Sequence, residues 1–350
     1  MTENSKAYVC IMAGGSGERF WPMSRQATPK HLLKLFSDRT LVEETVRRLD
    51  GVVPLGNIYV LTNEAQLAGT RAALSFLPAE QIIAEPAKRD TAPAAALATG
   101  LARARDPDGV LALLPADALI KDTASFARQL AAGLTRASGD DTLLTFAIKP
   151  TYPSIGFGYL EMAEELTGGY RRVAQFVEKP DLPTAESYLA GGNHAWNAGM
   201  FIWRASAFLA EAEKSAPELA KFVREFPTGD PTNYLAENFA TLPKISVDYA
   251  IMEKASAVAT QLAEFDWDDV GTWTALPAHL PNDTAGNTIK GSVVSLDSKN
   301  NIAIGSGRLI ALCGVQDLVV VETPDAVLVC HRDAVQNIKK LMPQLPPEVL

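Results

Sequence analysis

An alternation over the first 150 residues, short apolar runs against longer stretches of helical periodicity, constrains the fold more than any other feature. Residues 8–12, 58–61, 81–84, 110–114 and 142–147 are apolar runs of strand length. Between them, 41–49, 64–76, 92–105 and 125–138 place apolar residues at helical spacing. A strand followed by a helix and a second strand makes a βαβ unit, and a series of these makes a parallel sheet. Ligands of such sheets bind beyond the carboxyl ends of the strands, so the polar residues just after each run are the ones to inspect. The pattern predicts an α/β fold: a Rossmann-like, mixed and mostly parallel sheet flanked by helices.

Beyond residue 150 the rhythm is less regular. Runs at 158–162, 173–178 and 200–203 read as strands, and 184–190, 205–215 and 248–255 as helices, extending the same sheet with substrate-specific elements. Pro, Asn, Asp and Gly then cluster at 277–287. After them come strand-like runs at 292–296, 301–305, 309–311, 318–321 and 327–330, and a last helix at 334–341. This predicts a catalytic domain over 1–280 and a small all-β C-terminal domain with a terminal helix over 285–350, for which β-helix-like coils are one geometry.

Composition narrows the class. The 350 residues are 47% hydrophobic and 21% charged, which suits a folded globular chain. No apolar run approaches the roughly 18–20 residues of a membrane span, and the polar residues 1–6 lead into glycines rather than a signal sequence. A cytoplasmic location without a membrane partner is expected. A net charge of −9 argues against nucleic-acid binding but not against a small phosphorylated ligand. Cys10, Cys313 and Cys330 sit in apolar runs and read as buried thiols, while the four histidines are too scattered to suggest a His-based metal site.

The richest stretch is Ile11-Met12-Ala13-Gly14-Gly15-Ser16-Gly17-Glu18-Arg19-Phe20. A strand empties into a glycine loop whose N–H groups can approach phosphate oxygens. A tight strand-to-helix turn is the plainer explanation of the glycines alone. A dinucleotide fingerprint fails, because its third glycine would fall at Phe20, and no Gly-Lys-Ser/Thr follows for a P-loop. Arg19, Arg25 and Lys30 follow instead, and fixed cations beside a glycine loop suit a triphosphate. Asp117 stands just past the run 110–114, and Asp269 just past 265–267. Taken singly, such aspartates are more often turn or cap residues; as a pair they suit Mg²⁺, which takes one or two carboxylates plus phosphates and water.

The run Gly-Gly-Ser-Gly-x-Arg-x-Trp-Pro-x-Ser-Arg-x-x-x-Pro-Lys, residues 14–30, resembles the signature loop of the sugar-phosphate nucleotidylyltransferases, and its Trp-Pro-x-Ser-Arg part the mannose-1-phosphate guanylyltransferases. The resemblance continues through Glu85-Pro86-Ala87-Lys88-Arg89-Asp90-Thr91, Leu114-Pro115-Ala116-Asp117, Phe176-Val177-Glu178-Lys179-Pro180, Trp196-Asn197-Ala198-Gly199 and Trp267-Asp268-Asp269-Val270-Gly271. It implies a Mg²⁺-dependent enzyme joining GTP and α-D-mannose 1-phosphate into GDP-mannose and pyrophosphate. By the same resemblance, Ala13, Gly14, Gly15, Ser16, Gly17, Arg19, Arg89 and Thr91 contact the nucleotide. Arg19, Lys30 and Lys179 are the catalytic cations, and Asp117 and Asp269 hold the metal, with Asp268 facing away. Gly158, Glu178, Lys179 and Asn197 line the sugar phosphate.

The chain departs from the family pattern at Asp90, commonly Asn, at His31, Gly156 and Glu18; Asp90 loosens the expectation about the base. The alternatives are a glucose-1-phosphate thymidylyl- or uridylyltransferase and a catalytically silent sugar-nucleotide sensor. A homodimer is expected, and the length suggests that the isomerase domain of bifunctional relatives is missing.

Overall fold

The structure, a computed structural model, describes residues 6–350; the polar residues 1–5 lie outside the described part. Nine strands form one sheet: β1 Ala7–Met12, β2 Ile58–Asn63, β3 Ile82–Glu85, β4 Val110–Pro115, β5 Leu143–Ile148, β6 Tyr159–Leu166, β7 Tyr170–Val177, β8 His194–Arg204 and β9 Val258–Leu262. Their order is β3-β2-β1-β4-β8-β5-β9-β7-β6. β1 pairs in parallel with β2 and with β4, so Ile11 lies between Val60 and Leu114. The chain runs outward from β1 through β2 to β3 and then returns to β1's other side with β4. That reversal opens a crevice at the carboxyl ends of β1 and β4, where a sheet of this kind takes its ligand.

Helices α1 Leu41–Arg47, α2 Glu64–Ala73, α3 Thr91–Arg105 and α4 Thr123–Gly139 connect the parallel strands. Each starts at a side chain that accepts from a free N–H of the first turn: Thr40 from Glu43, Asn63 from Gln66, Asp90 from Thr91 and Asp122 from Ser125. Successive strand residues face opposite sides of a sheet. Cys10, Leu61, Leu111 and Leu113 pack under α3 on one face. Val9, Ile11, Val60, Ala112 and Leu114 pack with Val42, Val46 and Phe126 of α1 and α4 on the other. The strands and helices predicted over residues 8–147 are thus present, with ends moved by a few residues.

Farther along, α5 Leu182–Gly191, α6 Ala205–Ser215, α7 Pro217–Arg224 and α8 Thr232–Asn238 follow. The run read as 200–203 is the end of the long strand β8, which inserts antiparallel between β4 and β5. β9, α7 and α8 were not anticipated, and residues 248–252 form a π-helix instead of an α-helix.

The C-terminal strands are β10 Thr288–Lys290, β11 Val293–Leu296, β12 Ile302–Gly305, β13 Ile310–Cys313, β14 Leu318–Glu322 and β15 Val327–His331. β10, β12 and β14 stack in parallel, as do β11 and β13, so successive coils rise as in a β-helix. An asparagine ladder ties the coils: Asn301 donates from its backbone and side chain to Asn287 Oδ1, both at 2.9 Å, and its own Oδ1 accepts from Leu318 N at 2.9 Å. The terminal helix is shorter than predicted, with 3₁₀ turns over Arg332–Asn337 before α9 Ile338–Leu341. The thiols need correction. Cys10 is buried, but Cys313 is exposed, because alternation along β13 turns it outward, and Cys330, on the same face of β15 as buried Leu328, is half-buried against the core. Among the described residues no helix is long and apolar enough to cross a membrane.

Candidate active site

The turn after β1 is set by one close approach. Gly17 has φ 61°, and a Cβ there would lie 2.7 Å from the backbone nitrogen of Lys30. Only glycine permits both the conformation and the contact. The approach pins Lys30 in the crevice, where it is 6% exposed. Its Nζ donates to Asp117 Oδ2 at 3.0 Å and to the backbone carbonyl of Asp269.

Ser16, Gly17, Arg19, Lys30, Asp117, Asp269 and Gly271 line one cavity of about 330 Å³. The N-terminal cations and the two distant aspartates therefore meet at the β1–β4 switch point. Arg25 does not join them: its guanidinium pairs with Asp325 at 2.8 Å and donates to the carbonyls of Pro22 and Ser24. Asp268 faces away, its Oδ2 2.6 Å from His279 Nε2 and its Oδ1 accepting from Val270 N at 2.7 Å.

The carboxyl of Asp269 is pushed up to about 6, first by burial and then by the charges of Asp268 and Asp117, against the opposing pull of Lys30 and Arg19. Negative charge is thus crowded at this wall, a condition that a divalent cation relieves. Among the described residues no group of three or more His, Cys, Asp or Glu gathers into a closed metal cage. Two hard oxygen ligands with room left for phosphate and water match Mg²⁺ better than a metal that needs a full protein shell.

A second cavity, about 370 Å³, adjoins the glycine loop and is lined by Gly14, Gly15, Glu85, Lys88, Arg89, Asp90, Thr91 and Lys244. Arg89 is fixed by donating to the Ala240 carbonyl, and the Thr91 hydroxyl accepts from Val247 N at 2.9 Å. Glu85 belongs to a motif of the sequence but drew no role from it. Its carboxyl faces this space and is pushed up to about 8 by burial. Ala13 lines neither cavity; its N–H donates to the Leu61 carbonyl at 2.7 Å and its carbonyl accepts from Thr62 Oγ1 at 3.0 Å.

The remaining expected residues form a third cluster. A Cβ on Gly158 would lie 2.6 Å from Glu178 Oε2, so that glycine makes room for the carboxylate. Glu178 pairs with Lys179, whose ammonium is otherwise exposed. Asn197 accepts at Oδ1 from Thr145 Oγ1 at 2.9 Å and from Gly199 N at 3.2 Å, and donates to Asp248 Oδ1 at 3.1 Å. Among the described residues the second amide hydrogen of Asn197 has no acceptor. Asp248, pushed up to about 7 by burial and by Glu178, escaped the sequence reading because an aspartate opening a helical run looks like a cap. The ring contacts Trp267–Phe157 and Phe157–Trp196 join the segments that carry Asp268 and Asn197 through the core beneath them.

Among the described residues, three of the six non-glycine positions with positive φ fall in these clusters, the other three (Asp297, Asn300 and Asp317) in the C-terminal coils. Asp90, Lys179 and Val270 have φ of 69°, 47° and 47°. For Val270, β-branched and between Asp269 and Gly271, this conformation is costly and persists only where packing holds it.

Comparison with known proteins adds to this geometry. Residues 8–285 match the family described as Nucleotidyl transferase, and 291–345 the MannoseP isomerase/GMP-like beta-helix domain. The xanthan biosynthesis protein XanB of Xanthomonas campestris pv. campestris is 40% identical over 342 residues, which span 96% of this chain and 72% of XanB. The mannose-1-phosphate guanylyltransferase of Escherichia coli (strain K12) is 37% identical across 97% of this chain and 74% of its own. A crystal structure from Thermus thermophilus, described as a mannose-1-phosphate geranyltransferase, superposes with a TM-score of 0.89 at 32% identity, covering 97% of this chain and 99% of that one.

Proposed function

This chain belongs to the nucleotidyl transferase family, as a sugar-phosphate nucleotidyltransferase of the mannose-1-phosphate guanylyltransferase kind, and on that premise we propose that its substrates are GTP and α-D-mannose 1-phosphate and its products GDP-mannose and pyrophosphate. The observation that carries the reading is the single cavity joining Arg19 and Lys30 to Asp117 and Asp269.

A sugar-phosphate oxygen, ionised near neutral pH, attacks the α-phosphorus in line and pyrophosphate departs. The nucleophile needs no general base, so the work is positioning and charge stabilisation. The Gly14–Gly17 loop offers N–H donors to the β- and γ-phosphates, and Arg19 and Lys30 offset the charge that grows on the leaving oxygen. Asp117 and Asp269 would hold Mg²⁺, which supplies Lewis-acid neutralisation of the reacting phosphates. Glu178 accepts from sugar hydroxyls, Asn197 presents its remaining amide hydrogen, and Lys179 takes the sugar phosphate.

The second cavity suits the base. Guanine carries two N–H donors on one edge, and the Glu85 carboxyl facing this space would accept from both once ionised, which binding of those donors favours. A homodimer in the cytoplasm remains part of this proposal. The test is pyrophosphate release over a matrix of nucleotides and sugar phosphates, with and without Mg²⁺. GTP with mannose 1-phosphate is expected to lead; preference for dTTP or UTP with glucose 1-phosphate would overturn the substrate assignment.

A further inference from the structure

The triphosphate cavity has one wall that does not come from the nucleotidyl transferase region. Lys339, on α9 at the far end of the chain, lines it together with Arg19, Lys30, Asp117 and Asp269. The helix that carries it is firmly seated. Ile338, 3% exposed, packs in one apolar cluster with Phe20, Trp21, Leu33 and Trp273. α9 thereby rests against the Glu18–Phe20 turn that holds Arg19. Polar contacts lock the same junction: Trp21 Nε1 donates to the Val349 carbonyl at 2.8 Å, Gln26 N to the Leu350 carbonyl at 3.1 Å, and Arg25 pairs with Asp325.

Charge accounting gives the position its meaning. Lys30 is already engaged with Asp117, whereas neither Arg19 nor Lys339 has an ion pair or side-chain hydrogen bond among the described residues. Two unpaired cations from opposite ends of the chain thus flank one cavity. A compact ammonium on a flexible stem is well suited to a phosphate whose charge rises during reaction.

We propose that Lys339 is a phosphate-binding residue of the nucleotide site, contributed by the C-terminal domain, and that it grips the β- and γ-phosphates and then the departing pyrophosphate alongside Arg19. The assignment rests on reading this cavity as the triphosphate site. It makes the β-helix domain part of the active site rather than an appendage, since α9 reaches the cavity only while that domain is docked.

The test is calorimetric titration of the whole protein with inorganic pyrophosphate in Mg²⁺, together with KM values in both directions. Lys339→Ala is expected to weaken pyrophosphate binding and raise KM for GTP by about 10-fold or more, the scale of one charge-assisted contact. KM for the sugar phosphate should stay within about 2-fold. Lys339→Arg should restore most of the loss, and Lys339→Met, which keeps the aliphatic stem, should not. Lys340→Ala, on the same helix and off the cavity wall, serves as the control. Unchanged pyrophosphate binding in Lys339→Ala, an equal loss in Lys340→Ala, or a parent protein that does not bind pyrophosphate would each overturn the proposal. A wrong choice of base or sugar shows itself differently: the parent protein would bind pyrophosphate and release none from GTP with mannose 1-phosphate.

Discussion

Lys30 Nζ lies 3.0 Å from Asp117 Oδ2 in a slot that leaves the lysine 6% exposed, which joins the first βα turn to the end of β4 through one ion pair. The pair is poised: a phosphate entering the cavity competes with Asp117 for the ammonium, and a divalent ion competes with the ammonium for Asp117. Lys30→Met is expected to lower kcat/KM by about 10²-fold or more, as for loss of a preorganised charge at the reacting phosphates. Lys30→Arg should not rescue it, because a planar guanidinium does not fit a slot built around a point charge. Steady-state kinetics beside a melting curve separates this from simple unfolding.

Gly17 positions that lysine. Gly17→Ala is expected to cost about 1–3 kcal/mol through its left-handed backbone and the collision with Lys30. A lower Tm together with a raised nucleotide KM checks this. A variant with parent-like Tm and KM would show that the turn tolerates a side chain.

Glu85 gives a pH signature. Its carboxyl is raised from 4.5 to about 8 by burial, so between those values the folded protein keeps a proton that the unfolded chain has released. The folded state holds more protons there, and the Glu85 contribution to stability is full below pH 4.5 and declines as pH rises through 8. Glu85→Gln lacks that decline. At pH 9 it should exceed the parent protein by on the order of 2–4 kcal/mol, with the gap closing towards pH 4.5. Melting curves at several pH values measure the gap, and a gap independent of pH would contradict the burial of this carboxyl.

Lys179 is the cation proposed for the sugar phosphate. Lys179→Ala is expected chiefly to raise KM for the sugar phosphate, with kcat less affected, if its grip is equal in ground and transition states. A shifted nucleotide KM with an unchanged sugar-phosphate KM would place Lys179 on the other substrate.

Much of this was legible in the sequence because it is local. The runs that became β1 and β4 end at the glycine loop and just before Asp117, where the rule that ligands gather at strand carboxyl ends directs attention, while Arg19 and Lys30 were legible as cations following that loop and the roles of all three came from the family resemblance. What stayed hidden depends on contacts distant in the chain. The insertion of β8 between β4 and β5 is a pairing of remote segments, and β9 is short, with Thr260 and Gln261 breaking its apolar run. Asp248 resembled a helix cap until Asn197 was seen to donate to it. Lys339 resembled any lysine of an amphipathic terminal helix, and only the packing of Ile338 against Phe20 turns it into a cavity wall. Arg25 erred in the other direction: its motif suggested phosphate, whereas Asp325 holds it at the domain junction.

The convergence of two remote carboxylates on the cavity of Arg19 and Lys30 is tested most directly by pyrophosphate release from Asp117→Ala and Asp269→Ala across a Mg²⁺ series. Each variant is expected to turn over about 10²-fold or more slowly than the parent protein at every Mg²⁺ concentration. Near-normal turnover of either at saturating Mg²⁺ would contradict the assignment of these aspartates to the metal.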